Sequence, residues 1–139
     1  MITEEIERIY QEARNRLDNL YFIEYPKNKN RKFWANLESL NHEYTEKIRE
    51  KLDLILLPLK FITMKLNDRD NQSGNDVLYS YKGSDEININ LNCYPPFLKL
   101  SVYKFEGNKS IELDPITTLK NLESKLEVEN ESRWFYNYF

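Results

Sequence analysis

An α+β fold, with two N-terminal helices, a four- or five-stranded mainly antiparallel sheet and a C-terminal helix, follows from three features of the sequence. Apolar residues recur at three- and four-residue steps through the first 57 positions, they alternate strictly over 87–93, and a capped apolar stripe begins at Asp114. A chain of 139 residues matches the usual size of a single domain, so one continuous core over 1–139 is expected.

The elements follow in order. Ile6, Ile9, Tyr10, Ala13, Leu17, Leu20 and Tyr21 share one helical face, which predicts a first helix over about 4–21. Thr3 stands where a residue would cap it, and Glu4 and Glu5 lie at the positive end of the helix dipole. Pro26 and the polar run 27–32 break the pattern and predict an exposed connection. Phe33, Trp34, Leu37, Leu40, Tyr44, Ile48, Leu52, Ile55 and Leu56 then predict a long second helix over about 32–57, ended or kinked by Pro58.

Residues 59–66 mix periods two and 3.6, but β-branched and aromatic content after a proline tilts them towards a strand. A loop rich in Asn, Asp, Ser and Gly follows over 67–76, then a strand over 77–82 and a turn at Gly83-Ser84-Asp85. In 87–93 every odd residue is apolar and every even one is Asn, the signature of a strand with one buried face and a fixed register. Pro95-Pro96 separates it from a second alternating strand over 97–105, and Glu106-Gly107-Asn108 turns into a short strand over 110–113. Asp114-Pro115 caps a third helix over about 115–128 carrying Ile116, Leu119, Leu122 and Leu126. The end of the chain, 133–139, holds five aromatics and is too apolar for a solvated tail; docking on the domain is expected, with a partner contact as the other option.

Composition narrows the function classes. The start lacks a basic region, apolar core and cleavage site, and the longest apolar run, 54–59, falls far short of a bilayer span, so export and membrane insertion are not expected. Cys93 has no second cysteine to pair with, which fits a reducing cytoplasm. A net charge of −3 and pI near 5.3 argue against a general nucleic-acid binder. The acid is concentrated in residues 67–139, with 8 Lys/Arg against 12 Asp/Glu, a balance suited to a partner with a basic surface. Sixteen Asn and thirteen Lys beside two Ala reflect AT-rich codons and point to a low-GC bacterium, phage or mobile element.

Motifs for chemistry are sparse. His42 lies near Glu38, Glu43 and Glu46 on the second helix, but no second ligand motif accompanies it, so a solvated helix-face histidine is expected. Cys93 falls on the apolar side of its strand and reads as a buried, inert thiol. The run 68–76 resembles a calcium loop in its oxygen-bearing side chains, yet its glycine is one place late and Tyr79 stands where a bidentate Glu belongs. Three glycines give little material for a phosphate cradle, and neither a dinucleotide fingerprint nor a nucleophile elbow is present. No catalytic, metal or cofactor site is therefore expected, and the reading is a protein that is not an enzyme.

Two binding surfaces are expected instead. Alternation sends Asn88, Asn90, Asn92, Lys99, Ser101 and Tyr103 outward on neighbouring strands, away from Ile87, Ile89, Leu91, Leu98, Leu100 and Val102. Asn is disfavoured in strands, and a row of amides beside a tyrosine can recognise another protein, although AT-rich codons filling a solvated face would give the same row. The first functional expectation is a non-catalytic protein-binding module of the inhibitor or immunity type. The alternative is a nucleic-acid-associated accessory factor using Lys27, Lys29, Arg31 and Lys32, with Arg14 and Arg16 adjacent; stacking on the sheet would need Tyr79, Tyr81 or Tyr103 exposed.

Overall fold

The computed structural model describes the backbone of residues 1–66, 76–81, 86–94 and 97–138, and the side chains of all of these except 64–66, 76, 86, 94 and 129–138. The order is α1 (Ile2–Asn19), α2 (Arg31–Leu56), β1 (Ile62–Leu66), β2 (Asp76–Tyr81), β3 (Glu86–Tyr94), β4 (Phe97–Glu106), β5 (Lys109–Leu113) and α3 (Pro115–Tyr138). This is the expected α+β architecture, with all five strands antiparallel in the order β1-β2-β3-β4-β5. The predicted loop at 67–75, the turn at 83–85 and Pro95-Pro96 lie outside the described residues.

The two N-terminal helices run antiparallel along each other. Lys51 Nζ meets Glu5 Oε2 at 2.9 Å near one end, Arg16 donates to the Tyr44 hydroxyl at 3.4 Å midway, and Tyr21 meets Trp34 at the other end. Their apolar stripes, including Ile6, Ala13, Leu17, Leu37, Ile48, Leu52 and Ile55, are buried against the inward side chains of the sheet. Those are Val77 and Tyr79 on β2, Ile89 and Leu91 on β3, and Leu98, Leu100 and Val102 on β4. Each fully buried Leu or Ile contributes about 1.5–3 kcal/mol relative to exposure, so the core carries the stability without a disulfide. Leu119 and Leu126 on α3 close the same cluster.

Four local readings need correction. Thr3 does not cap α1: the helix begins at Ile2 with Met1 at the cap position and no side-chain cap bond. Thr3 is instead buried, and its N–H and hydroxyl both donate to Glu123 Oε1 on α3, at 2.9 and 2.8 Å, while the Ile2 N–H donates to Oε2 at 2.8 Å. A carboxylate brought from 120 positions away fills the role that local sequence assigned to a hydroxyl.

The first helix does not stop at 21. It passes into a π-helical segment, Leu20–Glu24, and a 3-10 turn, Tyr25–Lys27. The wider π turn sets residues four apart nearly above one another, which stacks Tyr21 on Tyr25 at 5.9 Å with planes 10° apart.

The second helix ends at Leu56, just before Pro58 as expected, but the strand does not follow at once. The chain keeps turning to Lys60, whose N–H donates to Leu57 O while the Phe61 N–H donates to Leu56 O, both at 3.0 Å. That bond pair, with Lys60 at φ 71°, is the left-handed helix closure usually assigned to glycine. The strand accordingly begins at Ile62 rather than 59.

Finally, α3 continues to Tyr138 instead of ending near 128, so the aromatics from Trp134 to Tyr138 lie on a helix; what their side chains touch, and Phe139, lie outside the described residues. Its start is as expected. Asp114 Oδ2 accepts from the N–H and hydroxyl of Thr117 at 2.9 and 2.7 Å, which holds the Asp114 carboxyl below its usual range.

Candidate functional site

The alternation over β3 and β4 places the six predicted contact residues in three cross-strand pairs: Asn88 with Tyr103, Asn90 with Ser101, and Asn92 with Lys99. All lie on the face opposite Ile89, Leu91, Leu100 and Val102, which are buried beneath the helices. Asn92 and Lys99 are exposed, and Asn88, Asn90 and Tyr103 are half-buried. Ser101 departs from the expectation of an outward contact residue, being only 2% exposed. Its side chain is the smallest on the row, with Lys99 and Tyr103 flanking it on β4 and Asn90 opposite.

Of the three tyrosines that stacking on the sheet would need, two do not face outward. Tyr79 is fully buried and faces the core, and its hydroxyl donates to Asp53 Oδ1 at 2.6 Å. Burial and that carboxylate push its pKa far up, so it stays a neutral donor joining β2 to α2. Tyr81 packs against Phe61 at 5.1 Å, which leaves Tyr103 as the one candidate of the three that faces outward.

The residues 27–32 make a different kind of surface. Lys27, Lys29, Arg31 and Lys32 are all exposed, and no described carboxylate forms an ion pair with them. The connection is nevertheless ordered by its own asparagines. Asn28 donates from its side chain to Glu24 O at 3.1 Å, and Asn30 Oδ1 accepts from the Phe33 N–H at 2.8 Å, capping α2.

Beside these cations lies a cluster of six rings: Tyr21, Phe22, Tyr25, Phe33, Trp34 and Phe97. Phe22 and Phe97 are 62% and 52% exposed, values that mark a contact surface rather than a core. The Trp34 indole N–H donates to Glu38, one turn further along α2, which fixes the ring. Tyr25, Trp34, Lys29, Arg31 and Glu38 line a surface pocket of about 500 Å3. Sequence reasoning identified the cations but missed the rings. The signal was present in the dense aromatics of 21–25 and 33–34, although Phe97 joins only through the fold. Arg14 and Arg16 do not extend this basic surface: Arg14 lies over the Tyr10 ring and Arg16 bonds Tyr44.

The remaining candidates have the exposure expected of them. His42 is exposed on α2. Cys93 is 2% exposed, and its thiol donates to Asn41 Oδ1 inside a polar knot in which Asn41 also donates to Phe97 O at 3.0 Å. Among the described residues no group of three or more His, Cys, Asp or Glu could hold a metal ion, and no helix is long and apolar enough to cross a membrane. The calcium-like run at 68–76 falls almost wholly outside the described residues. No protein-family model matches the chain, and neither a curated protein nor a solved structure does.

Proposed function

We propose that this chain is a non-catalytic protein-binding module of the inhibitor or immunity type, acting through the outer face of its sheet. The observation that carries the reading is the row of Asn88, Asn90, Asn92, Lys99 and Tyr103, aligned in register on the face opposite the buried core residues of β3 and β4. Amides at alternate positions of β3 supply donors and acceptors at fixed spacing, and Tyr103 on β4 adds a rigid amphipathic anchor beside them. The acidic second half of the chain favours a partner with a basic surface. Ser101, being buried, belongs to the spacing of the row and not to its contacts.

Changing Asn88, Asn90 and Asn92 together to Thr tests this, because Thr suits a strand but lacks the amide. The folded triple variant should lose the protein that the wild type captures from its native lysate. Equal capture by both, or no capture by the wild type, would overturn the reading.

A second reading, a nucleic-acid-associated accessory role for Lys27, Lys29, Arg31 and Lys32, is favoured by one specific observation. These cations stand beside exposed and half-buried rings, the pairing that holds single strands by phosphate contact and base stacking.

A further inference from the structure

We infer that the pocket at the tip of the α1–α2 hairpin is a subsite for one nucleotide of a single-stranded nucleic acid, with the base against Tyr25 and Trp34 and the phosphate against Lys29 and Arg31. The inference rests on the second reading above and adds to it a place, a ligand orientation and a role for the rings.

Three observations carry it. The pocket volume, about 500 Å3, lies within the range of small-ligand sites. Its wall combines two aromatic rings with two exposed cations, so one ligand must offer both a flat π surface and an anion. The wall is also polarised. Arg31, Trp34 and Glu38 follow one another along a single face of α2, so the backbone positions of Arg31 and Glu38 are about 10 Å apart along the axis at about 1.5 Å rise per residue. Glu38 repels a phosphate at its end and accepts from base N–H groups there, which leaves the phosphate to Lys29 and Arg31 at the positive end of the helix dipole.

The site is built before any ligand arrives. Tyr21, outside the pocket wall, stacks on Tyr25 and backs it; Trp34 meets Tyr25 at 5.4 Å and is fixed by Glu38. Asn28 and Asn30 hold the loop that carries Lys29. Little ordering cost is left for binding. Between residues 24 and 38 there are four cations against two carboxylates, so the tip is locally basic on an acidic chain. A weak, salt-sensitive interaction confined to this end is the physical consequence.

The test is fluorescence anisotropy of the full chain with short labelled oligothymidylate and oligouridylate, at low and physiological salt. The wild type should bind at low salt. Tyr25→Leu removes a ring that is not packed on the core and should weaken binding at least tenfold, with folding checked by circular dichroism. Lys29→Gln with Arg31→Gln should make the log–log salt slope shallower by about 0.7, the value of one single-strand phosphate contact. The charge-matched pair Lys109→Gln and Lys120→Gln should leave binding within twofold.

Each other outcome is decisive. Binding that survives Tyr25→Leu would remove the pocket while leaving the basic loop as a nucleic-acid contact. Equal loss in the charge-matched control would reduce the effect to net charge and overturn the subsite. No oligonucleotide binding at low salt would end both the subsite and the reading it rests on. Binding to phosphatidylserine vesicles without oligonucleotide binding would reassign the tip to a membrane surface.

Discussion

The two ends of the helical hairpin are built from the same pair of helices and use their polar groups in opposite ways. At the end where α1 begins, bonding capacity is consumed internally: Glu123 accepts from Ile2 and Thr3, Glu5 pairs with Lys51, and the turn after α2 closes on its own carbonyls. At the other end four cations and several rings face outward, and the ordering contacts are short-range ones among the loop's asparagines and the rings themselves. A region whose polar groups are all satisfied from within contributes stability. A region that is ordered yet keeps charge and aromatic surface unspent is where binding can act without unfolding anything.

The comparison breaks if the closed end can be altered cheaply. Glu123→Ala leaves two backbone N–H groups and a buried hydroxyl without an acceptor, and should cost about 3 kcal/mol in chemical denaturation. A loss below about 1 kcal/mol would show that water replaces the carboxylate and that the closed end is not closed. The same group sets an acid limit. Burial pushes the Glu123 carboxyl up, but the Thr3 and Ile2 donors outweigh it and hold the pKa below the ordinary 4.5. A depressed folded pKa means the contribution is whole above pH 4.5 and is lost as pH falls through the folded value. Glu123→Ala should therefore flatten the acid side of the stability profile.

A smaller change sharpens the same end. Lys60 holds φ 71° without being glycine, so Lys60→Gly should raise stability by about 1 kcal/mol, measured by the same denaturation. A loss instead would mean that the Lys60 side chain contributes more than its backbone costs. The smallest effect belongs to the open end. Lys29→Gln with Arg31→Gln should leave the melting temperature unchanged, because neither side chain has an ion-pair partner among the described residues. A measurable fall would make those cations part of the scaffold and would weaken the contrast between the ends.

Legibility in the sequence followed the range of the interactions involved. The alternation of 87–93 gave β3 its faces because a strand's period is a property of consecutive residues. The cap at Asp114 was readable for the same reason, since its acceptor and donor are three residues apart. Thr3 was misread because a cap residue is recognised by its local position, whereas its real acceptor is on α3. Ser101 was misread because alternation gives the side a residue faces but not how far it is buried there.

The sequence by itself determined the elements, the inward face of each and the presence of a basic connection between two helices, all of which depend on periodicity and local turn chemistry. Only the tertiary structure decided what those elements bring together. It set Glu123 under the start of α1, sank Asn41 of α2 against Cys93 and the Phe97 carbonyl, and added Phe97 of β4 to the rings at the hairpin tip. The physical reason is that such pairs lie 50 to 120 positions apart and meet through burial of the shared core, a property of the packed chain and not of any stretch of it.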